Sequence, residues 1–229
     1  MAYRTEATSL EGFVQQLAAN ILPHGYWFYV QGHIPEGKDP VAIDEKLVAK
    51  YGVNLSRQQR ARRKLAGFAN LHYLRLGRFW VLLATKGVHQ FFADELVNIR
   101  DARRLPIQVG GYSVSVKRGG YLKKLDPAVP ATVDGKLRVR VQISRETYRE
   151  HKAHFLENVW RKRVEEVGRA FFNVPFEPYA PIRRQLLNLI RLVNAKRQCA
   201  GLSKVSTSVL RYRRRIVRPF EATIKIHTM

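Results

Sequence analysis

Tyr26-Trp27-Phe28-Tyr29-Val30-Gln31-Gly32-His33-Ile34 is a run of aromatic and β-branched residues, and it reads as a strand. Pro23-His24-Gly25 precedes it and Pro35-Glu36-Gly37-Lys38-Asp39-Pro40 stops it. The residues beyond Pro35 decide the kind of sheet it enters. Asp39 can cap a helix whose first position suits Pro40, with Asp44 and Glu45 in its early turns and Tyr51-Gly52 at its end. Ser56 caps a second helix, Arg57 to Phe68. Two strands come next, Asn70 to Leu76 and Arg78 to Thr85, separated only by Gly77 and so a tight hairpin. In the first of them His72, Leu74 and Leu76 alternate with Tyr73 and Arg75, the pattern of a half-buried strand.

On the N-terminal side, Leu10, Phe13, Val14, Leu17 and Ile21 recur at helical spacing behind Ser9, so residues 8–21 read as a short helix. Residues 91–104 read as a helix with Phe92, Leu96 and Ile99 on one face. Pro106 to Lys117 alternates as a strand, with Gly110-Gly111 marking a bulge or a close backbone approach. Arg118 to Lys136 is a long exposed loop, and Leu137 to Ile143 is an alternating strand. Ser144 caps a helix to about Val167. Pro175, Pro178 and Pro181 precede a helix from Ile182 to about Cys199, and a last helix runs from Ser206 to Val217.

This order, strand, helices, strand, strand, helix, strand, predicts an α+β protein with a ferredoxin-like (split βαβ) antiparallel sheet core and a helical C-terminal region. The predicted divisions are an N-terminal helix (1–21), the ferredoxin-like core (22–145) and a basic helical region (146–229). In topology the order resembles RNA-recognition domains, repeat-processing ribonucleases and the catalytic palms of rolling-circle nickases. A winged helix-turn-helix within residues 40–85 is the alternative, with Ser56 to Phe68 as recognition helix and Asn70 to Thr85 as wing.

Charge narrows the function. Lys and Arg number 41 against 18 Asp and Glu, a formal charge of +23 over 229 residues. With 45% apolar residues the chain can bury a core, so it is no disordered basic tail. A body so charged repels itself unless an anion neutralises it, and polyphosphate chains do so most effectively. No stretch approaches the roughly 18 apolar residues of a membrane span. Met1 to Ala7 lacks the order of a signal peptide, and Cys199 stands alone, which fits a reducing, cytoplasmic setting.

Two windows concentrate the charge. Arg57 to Lys64 carries Arg57, Arg60, Arg62, Arg63 and Lys64, and residues 46–90 contain no Asp or Glu to balance them. Arg211 to Arg218 carries Arg211, Arg213, Arg214, Arg215 and Arg218, and arginine suits bidentate phosphate contacts. The expected phosphate contacts are Arg57, Arg60, Arg63, Lys64, Arg211, Arg213, Arg214 and Arg215. Lys117, Arg118, Tyr121 and Lys123 around Gly119-Gly120 form an expected loop clamp, whose tyrosine can stack an unpaired base. Tyr73 and Tyr112 read as core residues.

The reading is a nucleic-acid-binding protein, with structured or single-stranded RNA ahead of duplex DNA, no membrane and no cofactor. Two alternatives stand beside it: a nuclease or nickase acting on RNA or single-stranded DNA, encoded by a mobile element, and a structural subunit of a ribonucleoprotein. Mg²⁺ enters only with the nuclease. Its catalytic candidates are His33, in Gly32-His33-Ile34, and Tyr148, in Tyr148-Arg149-Glu150-His151-Lys152. The latter resembles the nucleophile helix of rolling-circle nickases, although their His-hydrophobic-His strand motif is missing. A metal-independent ribonuclease would need a base such as His24 or His33 beside cationic side chains.

Overall fold

The computed structural model describes residues 3–119, 122–123, 130, 132–157 and 159–221. The architecture is α+β, with antiparallel sheets and several helices. The chain forms two compact units: residues up to Ile107 with Val114–Arg140 and the segment from Val217, and Gln108–Ser113 with Val141–Ile216. Among the described residues no helix is long and apolar enough to cross a membrane.

In the first unit α1 (Leu10–Gln15) starts at Ser9, whose hydroxyl accepts from the Gly12 N–H. It does not continue as an α-helix to Ile21. Gln16–Ile21 is a π-helix and Leu22–His24 a 3₁₀ turn closed by Gly25 at φ 93°. β1 (Phe28–His33) comes next, then α2 (Pro40–Lys50), where the Asp39 carboxylate accepts from the Val41 and Ala42 N–H groups. α3 (Arg57–Leu65) opens with a capping box: Gln59 N–H donates to Ser56 Oγ, and Ser56 N–H donates to Gln59 Oε1. β2 (Leu71–Leu76) and β3 (Phe79–Ala84) form the hairpin read from Gly77, whose φ is 57°.

α4 (Gln90–Asp94) is much shorter than the helix predicted over 91–104, and within that span Arg100–Asp101 is a two-residue strand, β4. Leu96 and Val97 are exposed, so the apolar spacing that suggested a helical face is not a buried stripe. The sheet order is β2-β3-β1-β4, and β1 pairs antiparallel with both β3 and β4. Its fourth strand is therefore not the 106–117 segment. Val30, Tyr51, Val53, Leu71, Tyr73, Leu82, Ala84 and Phe91 close the core of this unit.

The outer edge of β2 is covered by the N-terminal segment, since Arg75 N–H donates to Thr5 O and Ala7 N–H to Arg75 O. A buried ion pair sits at that seam. Asp44 and Arg75 are each 3% exposed. The Asp44 carboxylate accepts from Arg75 Nε at 2.9 Å, Tyr73 Oη at 2.7 Å and Thr5 Oγ1 at 2.7 Å. Arg75 completes its fork on Glu6 at 2.9 Å and 3.0 Å. Every charge taken out of water here meets an opposite charge, which its burial requires.

Further along the chain, β5 (Ile107–Val109) and β6 (Tyr112–Arg118) replace the single strand predicted over 106–117. Gly110 and Gly111 have φ of 51° and 79°, the positive pair a two-residue hairpin turn demands, so they are a turn rather than a bulge. Part of the predicted loop pairs as a short ladder, β7 (Leu122–Lys123) against β8 (Thr132–Val133). β9 (Leu137–Ile143) occupies the predicted strand, and a three-stranded sheet runs in the order β5-β6-β9.

In the second unit the long helix expected from Ser144 to Val167 is two, α5 (Arg145–Glu157) and α6 (Val164–Phe172). Phe155 stacks on Phe171 at 4.0 Å, a contact that needs the chain to turn back between them. α7 (Ala180–Cys199) matches the expected helix. The last predicted helix is absent: only Thr207–Val209 forms a 3₁₀ turn, and Arg211 to Ile216 has no helical hydrogen bonding. On a helix Arg211, Arg214, Arg215 and Arg218 would stand three and four residues apart and repel, and this segment is instead anchored group by group on carbonyls, a carboxylate and aromatic rings.

Candidate nucleic-acid interface

α3 divides its cations. Arg60 turns inward: Nε donates to Leu55 O at 3.1 Å, Nη1 to Leu71 O at 2.8 Å and Tyr26 Oη at 3.0 Å, and Nη2 to Val53 O at 2.7 Å. The guanidinium expected to meet phosphate ties α3 to β2 and to the turn before it. Arg63 is half-buried, its Nη2 donating to Ala69 O and its guanidinium lying 5.5 Å from the Phe68 ring centroid. Arg57, Arg62 and Lys64 are exposed, as is Leu65 at 90%. Among the described residues no carboxylate lies in ion-pair range of any α3 cation. Arg62, Arg63 and Lys64 stand in the last turn, where the helix dipole favours positive charge.

Beside this face lies a cleft of about 470 Å³ lined by Asn20, His24, Tyr26, Arg57, Arg60 and His72. Asn20 comes from the π-helix, a widened turn frequent at functional sites, and its Nδ2 donates to Gln16 Oε1 at 2.7 Å. Asn20, His24 and Arg57 are exposed, Arg60 and His72 half-buried and Tyr26 buried. The Tyr26 and His72 rings are 4.6 Å apart and tilted by 57°. Burial, then the positive charges of Arg60 and His24, pushes the His72 imidazole down to about 3, so it is neutral near pH 7.

The loop clamp is only partly visible. Lys117 Nζ donates to Arg103 O at 2.7 Å and is half-buried, whereas Arg118 is exposed. Lys123 pairs through its backbone with Thr132, and Tyr121 lies outside the described residues.

In the second unit the 211–216 segment is held by its arginines and tyrosines. Arg211 Nη2 donates to Val174 O and Phe176 O, both at 2.8 Å, and its Nη1 lies 3.8 Å from Glu177. Arg215 N–H donates to Glu177 Oε2 at 2.7 Å. Arg214 packs over Tyr179 at 4.6 Å, and Arg183 over Tyr212 at 4.2 Å, two cation–π pairs on the same segment. Arg211 is thus a structural strut like Arg60, while the side chains of Arg213, Arg214 and Arg215 are exposed.

The two catalytic candidates belong to different units, His33 to the first and Tyr148 to the second. His33, at the exposed end of β1, packs against Phe79 at 5.3 Å. Tyr148, half-buried on α5, donates to Gln185 O at 3.4 Å. Among the described residues no three His, Cys, Asp or Glu side chains cluster as metal ligands. Comparison with protein-family models, curated proteins and solved structures finds no match to this chain.

Sequence reasoning placed Arg57 and Lys64 correctly on an exposed helix and considered His24, but it missed Asn20, Tyr26 and His72 as cleft residues. Nothing local marks them, because a π-turn has no sequence signature and His72 alternates in its strand like any half-buried residue.

Proposed function

We propose that this chain binds nucleic acid, and that RNA with unpaired nucleotides is its preferred form. The observation that carries the reading is the outward face of α3: Arg57, Arg62 and Lys64 are exposed with no carboxylate partner among the described residues. Cations left without a carboxylate partner are neutralised by phosphates, whose bound counterions are released on contact. The adjoining cleft supports unpaired RNA over duplex DNA, since a base must leave its stack to reach an aromatic-walled recess. Arg213, Arg214 and Arg215 supply a further cationic surface on the second unit. For the fold, the β2-β3-β1-β4 order with antiparallel pairings supports a ferredoxin-like split βαβ in the first unit.

The test is binding of labelled hairpin RNA, single-stranded DNA and duplex DNA across a salt series. RNA held most tightly, with affinity falling steeply as salt rises, supports the proposal. Preference for duplex would favour the winged-helix alternative, and no binding at low salt would refute nucleic-acid recognition altogether.

A further inference from the structure

We infer that the cleft beside α3 holds one unpaired ribonucleotide, its phosphate on Arg57 and His24 and its 2′-hydroxyl on Nε2 of His72. The inference rests on the nucleic-acid reading above and adds to it a means of telling RNA from DNA.

One phenol sets the tautomer of this histidine. Tyr73 N–H donates to Tyr3 Oη at 2.9 Å, and Tyr3 Oη donates its only proton to Tyr73 O at 2.7 Å. The remaining contact of that oxygen, 3.0 Å to His72 Nδ1, therefore needs the hydrogen on Nδ1. A neutral imidazole has a single N–H, so Nε2 is left with a lone pair. Among the described residues Nε2 has no hydrogen-bond partner. Tyr3 itself is backed by the strand seam, because the segment carrying it runs along β2. The tautomer is thus set by the fold rather than by solvent.

Beside this acceptor the cleft rim carries the guanidinium of Arg57, free among the described residues. Arg57 and His24 stand exposed at the rim, while Arg60 is spent on four internal acceptors. A ligand that satisfies both features carries an anion and, a short distance away, a hydroxyl or amine donor. Inorganic phosphate supplies only the first. A deoxynucleotide lacks the sugar donor, whereas a ribonucleotide has a 2′-hydroxyl next to its 3′-phosphate. Tyr26 and His72 give the sugar or base an aromatic wall.

The experiment titrates the protein with uridine 3′-monophosphate, its 2′-deoxy analogue and inorganic phosphate, following the His72 ring nitrogens by ¹⁵N NMR. In parallel, a short oligouridylate and its deoxy counterpart are compared by anisotropy on the wild type, His72→Phe and Arg57→Ala. The ribonucleotide is expected to move the Nε2 resonance and to bind about five- to tenfold tighter than the deoxy form, one hydrogen bond's worth. His72→Phe should bring that ratio to about one, and Arg57→Ala should weaken both ligands while keeping it. Equal ribo and deoxy affinity, or an unmoved Nε2, overturns the inference even if RNA is bound. Failure to bind any oligonucleotide at low salt would instead overturn the reading of α3. The wild-type NMR decides the matter should His72→Phe not fold.

Discussion

At the scale of single residues, burial rather than residue type decides what each cation does. Arg60 and Arg57 lie one turn apart on α3, yet Arg60 satisfies carbonyls of Val53, Leu55 and Leu71 while Arg57 faces solvent. Arg60→Ala should cost about 2–4 kcal/mol in urea denaturation, because it strands three carbonyls and the Tyr26 hydroxyl. Arg57→Ala should leave the denaturation midpoint unchanged. His72 makes a pH prediction. Its folded-state value, about 3, lies below the ordinary 6.5, so the unfolded chain takes up a proton in that window that the fold refuses. Stability is therefore unaffected above pH 6.5 and falls as pH drops from 6.5 toward 3. Tyr3, Tyr26, His24 and Arg60 are the groups facing the ring. Relative to His72→Phe, the wild type should lose up to about 1.4 kcal/mol per pH unit through this range, and parallel pH profiles would show that burial of the ring carries no such cost.

At the scale of elements, the structure separates what local chemistry announces from what distant contacts impose. Ser9, Asp39 and Ser56 marked three helix starts in the sequence because an N-cap bonds within its own turn. Gly77 likewise marked its hairpin. The fourth sheet strand, Arg100–Asp101, was not legible: two residues carry no period, and the surrounding spacing of Phe92, Leu96 and Ile99 imitates a helix. Arg211 to Ile216 misled for the converse reason, since Ser206 is a good cap but the arginines after it bind carbonyls and rings elsewhere in the second unit. In the candidate site the basic window was legible and its division was not, as the acceptors that claim Arg60 are backbone carbonyls. The seam between β2, α2 and the N-terminal segment gives the element-scale prediction. Asp44→Ala should destabilise by about 3–5 kcal/mol, measured by chemical denaturation, because it leaves buried Arg75 with Glu6 as its one remaining carboxylate partner among the described residues. A loss no larger than that of an exposed pair such as Arg218–Glu221 would mean that the seam does not hold β2.

At the scale of the whole molecule, the distribution of charge matters more than its sum. Of the 18 carboxylates, Glu6, Asp44, Asp94, Asp101, Asp134, Glu177 and Glu221 pair with cations outside α3, so they do not neutralise its exposed side chains. Among the described residues, part of the net +23 is therefore carried unpaired by Arg57, Arg62 and Lys64 on α3. Counterion release converts this into a number: for single strands each lost phosphate contact lowers the log–log salt slope by about 0.7. The most direct measurement is the salt dependence of RNA affinity for the wild type and for Arg57→Glu/Arg62→Glu/Lys64→Glu, with folding checked by thermal denaturation. If α3 carries the phosphate contacts, the triple variant stays folded with a melting temperature lowered only by the two acids in the last turn, binds more weakly and shows a slope shallower by about 2. An unchanged slope in the folded triple variant would contradict this, placing the nucleic acid away from α3.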